Sequence, residues 1–427
     1  MSATEVTDRE PMTDDRIGHL IALATLPGVG PATLLACQHD VDLHRILAEA
    51  RAGRAQQVPE LAAAFRIKDA EKLEARVRAV RRAADDADPP ALLAAHRADG
   101  RRVLVHGEED YPERLVDDPV PPALLFAEGD LSVLERDTLA VVGTRNATRA
   151  GRDLARDWSG LAASVGVAVV SGLALGIDGA AHEGALAALD HDEPVELFSR
   201  RGEPLPSAGP PVGVIASGLD IAYPRRHAAL HDDVRARGLL LSETPLGQRP
   251  NEWRFPARNR IIAGLADAVL VVESRSRGGS MLTAAEAVTR DVSLLAVPGH
   301  PSAPAAAGTN DLLADGAIVA RDVEDVMVAL GLGGVLAERA RRASGAGPGG
   351  PIGDRARLGR AERAVLDVLG ARALNLDELL AATGLGLDDA SGLLGSLEAS
   401  GHVVRTGAWY ERGDGTVRST MGAAATR

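Results

Sequence analysis

Between residues 101 and 297 the chain places short apolar runs at 103–105, 123–126, 139–142, 167–170, 212–216, 239–241, 268–272 and 294–297. Stretches such as 152–164 separate them and carry apolar residues at the three-to-four-residue spacing of a helix with one buried face. Strand, helix and strand repeated at this interval predict an α/β domain built on a doubly wound, mostly parallel sheet. Ligands of such a sheet belong at the carboxyl edge of its strands.

The flanks have other periods. Residues 1–15, rich in Thr, Glu and Asp without apolar periodicity, read as a disordered tail. A helical domain is expected over 16–95, interrupted at 26–33 by LPGVGPAT, where the glycines permit a tight turn and Pro31 suits the first position of a helix. That turn fits a helix-hairpin-helix element of the kind that holds a DNA phosphate, and it fits a plain connection between two helices equally well. Residues 61–82 continue as a basic helical region with a solvated face. The α/β core is expected over 96–330, with an Asp/Glu-rich and then Pro/Gly-rich surface insertion at 190–211. Residues 331–357 have the Gly, Ala and Arg content of a flexible linker. A winged-helix module follows over 358–413, with helices at 361–369, 376–382 and 388–400 and a short β-wing at 403–410, before a tail at 414–427.

With 45% apolar residues in 427, the chain can bury more than one core, and no window approaches the about eighteen apolar residues of a membrane span. The first sixteen residues lack a basic and then apolar leader, so a cytoplasmic location is expected. The single cysteine, Cys37, lies in an apolar helical pattern and reads as a buried structural thiol. The net charge of −13 argues weakly against nucleic acid, but its distribution changes that picture. Residues 249–260 hold four arginines and one acid, Glu252, while the third helix of the C-terminal module holds Asp388, Asp389 and Glu398 without a basic residue. That helix lacks phosphate neutralisation, which favours protein contact over groove reading.

Candidate chemistry gathers at the predicted strand ends. The run FPARNRIIAGL at 255–265 puts Arg258, Asn259 and Arg260 ahead of an apolar helix face, and the glycine turn at 278–280 opens the next helix. Guanidinium, amide and backbone N–H groups aimed at one sheet edge suit a phosphate. Strand 139–142 ends in Gly143, Thr144 and Arg145, a turn with neither the G-x-x-x-x-G-K nor the G-x-G-x-x-G pattern, so ATP hydrolysis and NAD binding lose support. Arg145 is placed to reach a phosphate or to make a structural ion pair. After strand 167–170, Ser171 can donate to an anion and Gly172 allows close approach, while Asp178 and His182 share a helical face, more simply as a structural pair than as metal ligands. Trp253 and Phe255 beside the arginines are candidates for base stacking, Phe255 being equally suited to the core.

The ordered blocks GTR (143–145), SGLALGIDGAAH (171–182), SGLDIAYP (217–224), SE (242–243), FPARNRIIAGL, VVES (271–274), GGSMLTAAEA (278–287), PGH (298–300) and GTNDLLADGA (308–317) resemble the DNA-processing protein A (DprA/Smf) family over about residues 17–330. The resemblance implies a Rossmann-like core and a helix-hairpin-helix or SAM-like N-terminal module. It also implies a non-catalytic homodimer without a cofactor that binds single-stranded DNA, and duplex more weakly. In such a protein the DNA is protected during natural transformation and loaded with the RecA recombinase. The DNA pocket implied by the resemblance comprises Gly143, Thr144, Arg145, Ser171, Gly172, Arg225, Arg226, Phe255, Arg258, Asn259, Arg260, Gly279, Ser280 and Thr283. Where the family commonly has SGSLIT, this chain carries residues 277–283 as RGGSMLT. The rival reading is a nucleoside-monophosphate phosphoribohydrolase on the same core, with Glu286 acting at the ribose. Its P-G-G-x-G-T-x-x-E turn is broken here by Arg277 and Met281.

Overall fold

The computed structural model describes residues 11–190, 197–198, 204–205, 208–336, 360–369, 374–383, 385–399, 402–406 and 409–412. The chain divides into two compact units, one ending at Arg339 and the other beginning at Ala340. Of the segments assigned to tails, insertion and linker, residues 1–10, most of 191–207, 337–357 and 414–427 lie outside the described residues.

Five helices open the first unit: α1 (Asp14–Thr25), α2 (Pro31–Ala36), α3 (Leu43–Arg51), α4 (Ala70–Asp86) and α5 (Pro89–Arg97). Helix α1 starts ahead of the apolar pattern because the Thr13 hydroxyl accepts the Arg16 N–H at 3.3 Å and Asp14 and Asp15 complement the positive helix end. The strands are β1 (Arg102–Val105), β2 (Leu124–Gly129), β3 (Thr138–Val142), β4 (Ala168–Ser171), the two-residue pair β5 (Leu197–Phe198) and β6 (Pro204–Leu205), β7 (Pro211–Ile215), β8 (Leu239–Ser242), β9 (Ala268–Val271), β10 (Ser293–Ala296) and β11 (Ile318–Val319). All eight expected runs are strands. The two-residue edge strand β11, half exposed, is not among the expected runs.

The main sheet has the order β1-β2-β8-β7-β4-β3-β9-β10-β11. Strand β2 runs antiparallel to both neighbours, and every pair from β8 to β11 is parallel. From β3 the chain winds outward through β4, β7 and β8, then returns to the other side of β3 with β9. This reversal opens a crevice between the carboxyl ends of β3 and β9. Register brings the ends level, with Val142 opposite Val271 and Ala140 opposite Val170. Helices α6 (Glu113–Val116), α7 (Arg149–Ser164), α8 (Ile177–Asp190), α9 (Ala228–Arg237), α10 (Arg254–Gly264), α11 (Gly279–Thr289), α12 (Ala307–Ala314) and α13 (Val323–Ala329) complete the unit.

The N-terminal helices share a hydrophobic core with the sheet: Leu20, Ile21 and Leu23 of α1 lie in one cluster with Phe126, Ile215 and Leu240. Each such side chain stabilises the fold by about 1.5–3 kcal/mol relative to exposure. A polar tie reinforces the junction. His96 of α5 donates through Nδ1 to the Leu92 carbonyl and accepts the Leu246 N–H at Nε2 (2.9 Å); burial lowers its pKa, which keeps it neutral for that role. Both Asp220 carboxylate oxygens accept the Gly247 N–H at 3.0 Å, so the segment after β8 is held from two sides. Cys37 is buried, and burial pushes its thiol up to about 11, the setting of an inert structural cysteine.

The second unit has helices Arg360–Leu369, Leu376–Thr383 and Leu387–Ala399 and a small antiparallel sheet of β12 (Leu374–Asn375), β13 (Val403–Thr406) and β14 (Trp409–Arg412) in the order β12-β14-β13. Val365, Leu369, Leu379, Leu394 and Leu397 form its core, and the arrangement is a winged helix. Among the described residues no helix is long and apolar enough to cross a membrane.

Candidate nucleic-acid interface

Outside the carboxyl ends of β3 and β9 lies a cleft of about 470 Å³. Gly143, Thr144, Arg145, Phe255, Arg258, Asn259, Gly279, Ser280 and Thr283, predicted from three separated stretches of sequence, all line it. A smaller pocket of about 60 Å³ shares Arg145, Phe255 and Arg258 with the cleft and adds Gly172, Tyr223 and Pro224. Arg225 and Arg226 follow in an exposed turn, Arg225–His227, and line neither cavity.

Local sequence explains each wall. Gly143 is required where the chain leaves β3, since a Cβ there would sit 2.4 Å from Ile177 Cγ1 and 2.8 Å from the Glu273 carbonyl oxygen. The Thr144 N–H donates to that same carbonyl at 2.7 Å, closing the crevice floor. The Arg145 guanidinium lies 4.8 Å from the centroid of the Phe255 ring, and the Tyr223 ring follows at 5.9 Å. Arg145 thus stands exposed on an aromatic platform that orients it without neutralising it.

Behind this exposed layer lies a buried one. Arg258 donates to the Val214 carbonyl, and burial pushes its pKa down to about 10, partly offset by the attraction of Asp178. A Cβ on Gly172 would stand 2.0 Å from Arg258 Nη1, so only glycine lets the guanidinium pass. Leu173 is left-handed (φ 54°), a conformation costing about 1–2 kcal/mol. In this turn the N–H groups of Gly172 and Ala174 both reach the Asp178 carboxylate. Burial raises the Asp178 pKa, while Arg258 and Arg145 draw it back. His182, one turn along α8, is fully buried and its pKa is forced down to about 3, so the ring is neutral.

Two further predicted contacts, Ser171 and Arg260, line neither cavity. Ser171 is wholly buried and donates its hydroxyl to the Val141 carbonyl at 2.6 Å, serving the sheet. Arg260 is buried in a bidentate pair with Glu243 (2.6 and 2.7 Å). Burial raises Glu243 to about 6 against the opposing pull of Arg260. The Ser280 hydroxyl donates to Ser274 Oγ at 2.8 Å, leaving Ser280 to contribute mainly backbone at the cleft. Asn259 makes only a long contact, 3.4 Å, to the Gly279 carbonyl.

Helix α11 begins at this cleft, and its N-cap, Gly278, provides no side-chain cap. The start of α7 is different. Glu273 accepts the Thr148 N–H at 2.9 Å and the Thr148 hydroxyl at 2.5 Å, so the chain's own carboxylate occupies the helix end where a dinucleotide fold seats a pyrophosphate. Arg275 and Arg277, not among the predicted site residues, line the cleft as exposed cations. Four arginines therefore face one carboxylate, Asp178, among the lining residues. Such a surface can hold a flexible polyanion through guanidinium and N–H donors while rings take apolar faces. Glu286 of α11 is engaged by Arg290, the residue just past the helix, and is not among the lining residues.

Residues 102–331, spanning β1 to beyond α13 and every wall of the cleft, match the model of the DNA recombination-mediator protein A family. The chain belongs to this DprA family. Residues 354–408 match the DprA winged helix domain. The chain is 35% identical to the DNA processing protein DprA of Bacillus subtilis over 238 residues, 56% of this chain and 74% of that one. It is 36% identical to the putative DNA processing protein DprA of Mycobacterium tuberculosis over 329 residues, 76% of this chain and 75% of that one. The X-ray structure of DprA from Streptococcus pneumoniae superposes with a TM-score of 0.54 at 27% identity, covering 75% of this chain and 98% of that one. Within the DprA-matched stretch, two of the blocks that carried the resemblance meet: the Gly299 N–H donates to Asn310 Oδ1 at 3.2 Å and Asn310 Nδ2 to the Gly299 carbonyl at 3.1 Å.

Proposed function

We propose that the chain is a non-catalytic mediator that binds single-stranded DNA in the cleft between β3 and β9 and presents it to the RecA recombinase as a homodimer, in the cytoplasm of a cell taking up DNA by natural transformation. The observation that carries this reading is the convergence of Arg145, Arg258, Arg275 and Arg277 with the start of α11 around one cleft edged by Phe255. These groups suit phosphates and base faces. Arg225 and Arg226 extend the cationic rim, and Arg260, paired with Glu243, serves the stability of α10 rather than the ligand. Single strands fit better than duplex because Phe255 and Tyr223 can only stack on bases that are free.

Mobility-shift titrations with a single strand and the matching duplex at two salt concentrations test this. Single strands of different sequence should bind alike, more tightly than duplex, with log affinity falling linearly against log salt by about 0.7 per phosphate engaged. Affinity indifferent to salt would remove the phosphate cleft from the account.

A further inference from the structure

A second groove, of about 690 Å³, runs beside the first between the hairpin Leu26–Pro27–Gly28 and residues 248–254. Arg76, Arg249 and Arg254 line it, and among the described residues no carboxylate does. Trp253 lines it with 42% of its surface exposed, and the Arg254 guanidinium lies 5.2 Å from its ring centroid. Arg254 is held there by its donation to the Arg249 carbonyl at 2.9 Å and to Gln248 Oε1 at 3.3 Å. The wall is fixed to the sheet by the Gly218 N–H donating to the Gln248 carbonyl at 2.9 Å and by the Asp220–Gly247 contact. Pro250 lines both this groove and the small pocket that shares Arg145, Phe255 and Arg258 with the cleft, so the two cavities lie side by side.

A cationic groove with an exposed indole and no acid selects a polyanion that carries flat rings. We infer that this groove is a second binding site for single-stranded nucleic acid, in which the strand leaving the β3–β9 cleft passes Pro250, stacks a base on Trp253 and sets its phosphates against Arg249 and Arg76. The inference rests on the proposed cleft, and it adds a route the strand takes beyond it. Site size follows: the chain covers more nucleotides than the cleft alone can hold.

The test compares a short oligonucleotide of about four residues with one of about sixteen, the range of sites covered by single-strand-binding folds. Wild type, Arg249→Ala, Arg76→Ala with Arg249→Ala, and Trp253→Phe are titrated with both, and their melting temperatures recorded. The double variant should bind the long strand about tenfold more weakly and the short one as wild type does. Its salt slope for the long strand should be smaller by about 1.4, two phosphates at about 0.7 each. Long strands should quench tryptophan emission in wild type and much less in Trp253→Phe. Wild-type affinity for the long strand in Arg249→Ala and the double variant overturns the second site and leaves the cleft standing, as does an equal loss for both lengths. Failure of wild type to bind either oligonucleotide overturns cleft and groove together.

Discussion

Arg260 and Arg258 are two residues apart, both buried, and they have different partners. Arg258 meets a backbone carbonyl and the charge of Asp178, at the cleft, whereas Arg260 is engaged by both oxygens of Glu243. Removing one member of a buried pair strands the other, at a cost of about 3–5 kcal/mol. Arg260→Ala should therefore lower stability sharply while its folded fraction keeps the wild-type affinity for single strands. The cost should depend on pH. Glu243 sits near 6 in the fold against an ordinary 4.5, so the folded state holds the extra proton between those values and this group's contribution to stability falls as pH rises through that window. Without Arg260 the carboxyl moves higher still and the decline extends toward neutrality. Urea unfolding of Arg260→Ala and wild type at pH 5 and pH 8 should show a larger difference at pH 8; an equal difference at both would mean that Glu243 is not the stranded partner.

At the scale of elements, the start of α7 is occupied by Glu273 and the start of α11 has no side-chain cap, which divides structural work from ligand binding. Glu273→Ala should cost about 1–2 kcal/mol in unfolding free energy, the range of a lost N-cap together with a favourable charge at a helix end. Its single-strand affinity should change little, and Glu273→Gln should recover part of the stability. Unchanged stability in Glu273→Ala would make the observed bonds energetically idle. The strands were legible because parallel strands buried on both faces read as continuous apolar runs, and the residues following β3 and β9 were legible because glycines must stand where the chain turns tightly. The partners in the Glu243–Arg260 and Glu273–Thr148 contacts were not. Nothing local distinguishes a carboxylate that will meet an arginine seventeen residues on, or a helix start a hundred and twenty-five residues back. Ser171 misled for a related reason, since a hydroxyl at a strand end suits an anion until the neighbouring strand presents the Val141 carbonyl. Arg275 and Arg277 were passed over because two cations in a loop carry no periodic signal.

For the whole molecule, the first unit contains the cleft and the second groove with their cationic walls, and the second unit is a winged helix whose third helix, Leu387–Ala399, carries no Arg or Lys. Deleting residues 351–427 should leave single-strand affinity within about threefold of the full chain, since no phosphate-neutralising residue is lost from the grooves. Loss of most affinity in a folded truncation would give the winged helix a direct part in binding. The central claim, that exposed cations at the β3–β9 edge grip phosphates, is tested most directly at Arg145. On one preparation of Arg145→Ala, single-strand affinity should fall by about 1–3 kcal/mol, the worth of charge-assisted bonds to a ligand, with the melting temperature within about a degree of wild type because the guanidinium is exposed. Undiminished affinity in a fully folded Arg145→Ala would contradict the account.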